Sequence, residues 1–200
     1  MQLLGYSCKK ADTEAPFIVM NADTVMYHYL GTAYIDPGAQ AIDNYTCDLD
    51  DAVLAENNID IYRYGPYAVT YTATDDAGNT GVATRVVDII LQPSNYYSLD
   101  YSATDSCTSG VYNYTGSVQD CDCDADAVTV LNISNFGASA TFTLPLTGRY
   151  NHIILLDTTK SAITFSGAGI MSRAIDTIQW NYTISDSITE DVCTSTWVKN

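Results

Sequence analysis

The sequence predicts an all-β chain, a β-sandwich followed by a second antiparallel β-sandwich or small barrel, on three observations. Across Gly65–Asp75, Tyr67, Val69, Tyr71 and Ala73 fall on one face, and Ala68, Thr70, Thr72 and Thr74 on the other. A period of two with β-branched and aromatic residues is the mark of a half-buried strand. Short apolar runs separated by Gly, Asn, Asp and Pro then recur to the end of the chain. Finally, no ten-residue stretch has the periodicity of an amphipathic helix.

Taken in order, residues 11 to 16 read as a tether. Phe17 to Met20, Val25 to Tyr29 and Gly31 to Tyr34 each suit a strand, with Asp36-Pro37-Gly38 as a turn. Asp43 to Asp51 is acidic and loop-like, and Ile59 to Tyr62 suits a short strand. The Gly65–Asp75 strand ends in Asp76-Ala77-Gly78-Asn79, residues that tolerate positive φ and cap their own backbone. The chain therefore reverses, and Thr80 to Leu91 returns with Val87, Ile89 and Leu91 in step. Gln92-Pro93-Ser94-Asn95 breaks the pattern, which places a domain boundary at 92/93. Residues 94 to 109 read as a linker or an outer strand. Seven further strands follow, over Val111–Thr115, Val128–Ile133, Thr141–Leu144, Ile153–Leu156, Ile163–Phe165, Ile175–Ile184 and Val192–Val198. Such even spacing suits an antiparallel sandwich or small barrel.

The motif Gly65-x-Tyr67-x-Val69-x-Tyr71-x-Ala73-x-Asp75, with Ala77-Gly78-Asn79 and Arg85 after it, resembles the end of bacterial immunoglobulin-like domains of surface proteins. Upstream, Glu14-Ala15-Pro16 and then Gly31, Tyr34, Asp36-Pro37-Gly38-Ala39, Ala41 and Asp43-Asn44 follow in the family's order. The resemblance covers about residues 12–91 and implies an Ig-like sandwich over 12–92, after a leader and tether at 1–11. Cys47-Asp48-Leu49 departs from the small residue usual after the Asp-Asn pair. Tyr67 stands two residues before Val69 as in a tyrosine corner, but no Cys takes the second position, so an Ig-type disulfide is absent. The order Gly110-Val111-Tyr112, Ala127-Val128-Thr129-Val130 and Asn135-Phe136-Gly137 loosely resembles the C-terminal β-domain of Bacteroidetes surface lipoproteins, which places that domain at 93–200.

The N-terminus supports the same class. Ser7-Cys8-Lys9-Lys10 resembles a bacterial lipoprotein cleavage and lipidation site, which would make Cys8 the lipid-bearing residue and anchor the protein at the outer membrane or cell surface. Only Leu3 and Leu4 stand where a signal's apolar core of about 7–15 residues belongs. The net charge of −16 is shared by both halves, with thirteen of the 24 acids before Pro93. An acidic surface of this kind repels phosphate backbones and excludes nucleic acid as a partner. Sixteen Tyr against four Phe suit half-exposed sheet faces or a recognition surface.

Catalysis finds little support. His28 and His152 lie in apolar strand-like surroundings outside any triad motif, and only Glu56 and Glu190 follow the tether as Glu. In Asp120-Cys121-Asp122-Cys123-Asp124-Ala125-Asp126, an extended backbone puts four Asp on one face and both Cys on the other. That ladder invites calcium at Asp120, Asp122, Asp124 and Asp126, against the plainer reading of a solvated acidic edge; it is not an EF-hand, because Ala125 and Leu131 replace the required Gly and Glu. No other cofactor is implied. An exported domain with an even cysteine count favours disulfides over thiols or metal. Two bridges are expected, joining the Cys121/Cys123 pair to Cys107 and Cys193, with Cys47 left alone in the first domain.

The functional expectation is a non-catalytic, lipid-anchored surface protein. An Ig-like spacer presents a β-domain that binds glycan or a surface protein through Tyr112, Tyr114, Trp180, Tyr182 and Trp197. A purely structural stalk is the first alternative and a carbohydrate-acting hydrolase the second. Exposed aromatics on one face favour glycan binding; a deep acidic cleft with carboxylates roughly 5–9 Å apart favours the hydrolase.

Overall fold

The computed structural model describes residues 11–45, 49–122, 124–136, 142–147 and 150–200. It is all-β, as expected, and divides into two compact units. Among the described residues, the first comprises the chain from residue 11 to His28, Thr32–Ile61 and Gly65–Asp88; the second takes Tyr29–Gly31, Tyr62–Tyr64 and Ile89–Asn200. Cys8 and Cys47 lie outside the described residues.

In the first unit, strands β1 (Phe17–Met20) and β3 (Ala39–Ile42) form a two-stranded sheet, with Phe17 opposite Ile42. Strands β2 (Val25–Tyr29), β6 (Thr80–Ile90), β5 (Gly65–Thr74) and β4 (Leu54–Asn57) form a four-stranded sheet in that order. Alternation along β5 buries Val69, Tyr71 and Ala73, and β6 adds Val87 and Ile89. Two expected strands are absent. Residues 31–34 and 59–62 are turn or irregular, and the strands in those regions are β3 and β4 instead.

Between β2 and β3 the chain is held by side chains. Arg85, wholly buried on β6, donates from Nη1 to Asp36 Oδ1 and to the Tyr71 hydroxyl, from Nε to the Asp23 carbonyl (3.1 Å), and from Nη2 to the Gly38 carbonyl (3.2 Å). Tyr71 and Tyr34 both donate to Asp36 Oδ1, at 2.6 and 3.3 Å. A guanidinium can be buried here because its donors find a carboxylate and two carbonyls. Desolvation works against the ionised Asp36 carboxyl, but the hydrogen bonds from Tyr71 and Gly38 and the charge of Arg85 outweigh it and hold its pKa below the usual range.

The second unit is a closed eight-stranded barrel. Strands β7 (Ser98–Cys107), β8 (Gly110–Asp120), β9 (Ala127–Leu131), β10 (Phe142–Thr147), β11 (His152–Lys160), β12 (Ile163–Met171), β13 (Thr177–Ser185) and β14 (Glu190–Lys199) each pair antiparallel with their sequence neighbours. The circle closes where β14 pairs with β7, with Cys193, Ser195 and Trp197 opposite Cys107, Asp105 and Ala103. The stretch at 94–109 is thus mainly the first barrel strand rather than a linker.

Inward positions carry the bulk. Tyr101, Val118, Val130, Phe142, Ile153, Phe165, Ile178, Trp180, Tyr182 and Trp197 are all buried. Both indoles lie against glycines: a Cβ on Gly116 would stand 2.3 Å from the Trp197 ring, and one on Gly169 2.7 Å from that of Trp180. Outward positions such as Ser102, Thr104, Ser106, Gln179, Asn181 and Thr194 are polar. The same outer face also exposes Leu99, Val111, Ile170, Val192 and Val198, so it is mixed rather than uniformly polar. No helix among the described residues is long and apolar enough to cross a membrane.

Candidate functional site

In a barrel whose strands alternate in direction, every second connection lies at the same end. The turns β7–β8, β11–β12 and β13–β14 therefore gather with the 3-10 turn Ile133–Asn135 that follows β9. Ser161 and Ala162 form a two-residue β11–β12 loop with φ of 53° and 65°, the geometry that matches the twist of a hairpin. Ser134 and Asn135 in the 3-10 turn, and Asn132 just before it, are all left-handed. Ser134 thereby aims its backbone N–H at the Tyr114 hydroxyl, 2.9 Å away.

These connections enclose a hollow of about 400 Å³. Tyr112 of β8 and Phe136 after the 3-10 turn line it and remain 44% and 39% exposed. Ile163 and Ile184 add aliphatic walls, while Ser109, Ser134, Asn135, Thr189, Asp186 and Asp191 supply polar groups. Asp191 clasps the β7–β8 turn: Oδ1 accepts from Thr108 Oγ1 and from Ser109 N (3.0 Å), and Oδ2 from Ser109 Oγ. Asp186 Oδ1 accepts from Ile188 N (2.8 Å), Thr189 N (2.7 Å) and Thr189 Oγ1 (3.1 Å). Hydrogen bonding from Ser109 and Thr108 lowers the pKa of Asp191, and the Thr189 and Ile188 amides lower that of Asp186. Both carboxyls stay ionised.

Inside the barrel lies a second polar group. Asp105, wholly buried, accepts from the Tyr114 hydroxyl at 3.0 Å and from that of Tyr182. The Tyr114 hydroxyl in turn accepts from Trp197 Nε1 at 3.3 Å. Burial raises the pKa of both phenols, and the Asp105 charge adds to it, so each remains a donor.

The expected aromatic binding set is accordingly corrected. Trp180, Trp197 and Tyr182 are 2%, 1% and 3% exposed and fill the barrel, and Tyr114 turns inward onto Asp105. Only Tyr112 of the five lines the hollow. The period-two pattern is identical for a residue packed inside a barrel and one displayed on a sheet, so spacing could not separate the two. Phe136, Asp186 and Asp191 share no motif or spacing that points to a common site; they come from separate segments that only the closed barrel brings together.

The cysteine pairing is corrected too. Cys107 and Cys193 are bonded to each other, because β7 and β14 place them directly opposite at a Cα separation of 4.0 Å. Neither is left for the Cys121/Cys123 pair. Cys121 is also in a disulfide, and Cys123 lies outside the described residues. The Asp191 carboxylate lies within 4.8 Å of both Cys107 and Cys193 sulfurs, but bonded sulfurs offer no thiolate to a metal.

The Asp ladder is not extended. β8 ends at Asp120, Asp122 has φ 29°, and the chain turns before β9, so the four carboxylates do not share a strand face. Asp120 Oδ1 accepts from Tyr97 OH (3.0 Å) and Cys121 N (2.8 Å). Among the described residues these Asp do not form a cluster close enough to share an ion; Asp12, Asp43 and Asp75 of the first unit do. Both oxygens of Asp75 are engaged by Asn79, at 2.8 Å each, as befits the turn.

Residues 18–89 match the family described as bacterial surface protein, Ig-like domain. The sequence matches no curated protein. Among solved structures, the chain is similar to the lipoprotein BT2262 from Bacteroides thetaiotaomicron, at 16% identity and a TM-score of 0.37, over 90% of this chain and 98% of that one. It is also similar to the structure of CBM51-2 in complex with GlcNAc and INT domains from Clostridium perfringens ZmpB. There the identity is 13% and the TM-score 0.32, over 92% of this chain and 43% of that one. Both superpose loosely.

Proposed function

We propose that this chain, whose residues 18–89 match the family described as bacterial surface protein, Ig-like domain, is a non-catalytic surface lipoprotein, anchored through Cys8, whose barrel binds a glycan at its mouth. The Ig-like unit is the spacer. One observation carries the reading: the mouth hollow has two partly exposed aromatic rings, Tyr112 and Phe136, beside carboxylates and hydroxyls. Sugars offer apolar C–H faces to aromatic rings and a fringe of hydroxyls to carboxylates, so this mixture suits them.

The same hollow argues against hydrolysis. A glycosidase needs one carboxyl kept protonated as the general acid. Asp186 and Asp191 are both shifted the other way. Isothermal titration against a panel of soluble oligosaccharides tests the reading. A ligand should bind, and Tyr112→Ala or Phe136→Ala should weaken it at least about tenfold, a loss of roughly 1.4 kcal/mol. Binding that ignores both substitutions would move the site elsewhere, and no binding at all would favour the structural stalk.

A further inference from the structure

The charge of the mouth narrows the ligand further, on the reading just given. Asp186 and Asp191 line the hollow, with no Lys, Arg or His among its described lining residues. Asp191 spends both oxygens on Thr108 and Ser109. Asp186 gathers its bonds on Oδ1, which leaves Oδ2 for a ligand. The hydrogen bonds that cap the turn also keep this carboxyl ionised. Around it stand Tyr112 and Phe136, whose ring faces attract cations, and the aliphatic Ile163 and Ile184, which thin the water that would screen a charge.

Three classes of sugar meet this surface differently. A neutral sugar gains ring stacking and ordinary hydrogen bonds. An acidic sugar brings a like charge towards two carboxylates, on a chain whose net charge is already −16. An ammonium group makes a charge-assisted bond to Asp186, about twice as strong as a neutral one. We infer that the mouth pocket selects sugars bearing a free amino group, hexosamines with unacetylated nitrogen, over neutral and acidic sugars.

Titration of the whole chain with glucosamine oligomers, N-acetylglucosamine oligomers and galacturonate oligomers of equal length tests this. The amine form should bind at least about tenfold more tightly than the N-acetyl form. Its advantage should shrink as salt rises from 20 to about 500 mM, and the galacturonate should not bind. Asp186→Asn keeps Oδ1 for the turn and removes the charge, so the ratio of amine to N-acetyl affinity should fall to about one. Asp186→Ser keeps a turn-capping oxygen and should do the same. Equal affinities in the parent, or a preference that survives both variants, would overturn the inference. Binding of the N-acetyl form that is lost in Tyr112→Ala, without an amine preference, would sink it while leaving the glycan site standing. If no sugar binds, the glycan reading fails and this one with it.

Discussion

Arg85 of β6 is paired with Asp36, 49 positions earlier, and has no exposed surface of its own. The pair ties the irregular Asp36-Pro37-Gly38 segment to the four-stranded sheet of the Ig-like unit. Asp36→Ala strands a buried guanidinium and should cost about 3–5 kcal/mol of that unit's stability, read by urea unfolding. A loss below about 1 kcal/mol would mean that water replaces the carboxylate.

The pH dependence has a definite sign. The folded pKa of Asp36 lies below its ordinary value. The stability it contributes is present above the unfolded carboxyl pKa of about 3.9 and is lost as pH falls through the lower folded value. The melting temperature of the Ig-like unit should drop below about pH 4, and Asp36→Asn should flatten that drop. An unchanged acid limb in the variant would assign the loss to other carboxyls.

The Cys107–Cys193 bond spans 86 positions and joins the strands that close the barrel. Replacing both with Ala should lower barrel stability by about 2–4 kcal/mol and leave the Ig-like unit unaffected. Calorimetry resolves the two. A shift of both transitions would show that they do not unfold separately.

Tyr182→Phe removes one of the two phenols that donate to the buried Asp105. A hydrogen bond to a charged, buried group carries about 1.5–3 kcal/mol, which should appear as lost barrel stability. Near-neutrality would show that the Tyr114 hydroxyl alone satisfies Asp105.

Gly116→Ala places a methyl 2.3 Å from the six-membered ring of Trp197. The ring is buried and has no room to yield, so about 1–3 kcal/mol should be lost, with a change in tryptophan fluorescence. An unperturbed spectrum would contradict the close packing.

With a functional secretion signal upstream, Cys8→Ala should move the protein from the membrane fraction to the soluble one. Continued sedimentation with membranes would remove Cys8 as the anchor.

The strands of highest contrast were legible from residues alone. β5 and β6 follow from alternation plus an Asp-Asp-Ala-Gly-Asn turn, both local signals. β3, Ala39-Gln40-Ala41-Ile42, has only one β-branched residue, and its pairing with β1 arises from partners 19 to 25 positions away. Gly31 to Tyr34 alternates like a strand, yet Tyr34 is used to reach Asp36. Sandwich and barrel share one period, and only the meeting of β14 with β7 decides between them. The mouth site was hidden for the same reason: Phe136, Asp186 and Tyr112 are brought together by closure, not by spacing.

That closure also sets an order of events. Seven of the eight ladders join strands that follow one another along the chain, whereas the seam between β14 and β7 must gather nearly the whole barrel sequence before its first hydrogen bond forms. Loop-closure entropy makes such a contact late. Until it forms, β7 and β14 are two bare strand margins that can recruit another chain. A folding molecule is therefore vulnerable to mispairing along Glu190–Lys199. Once those residues lie down beside Tyr101–Cys107, each described barrel strand has a partner on both sides.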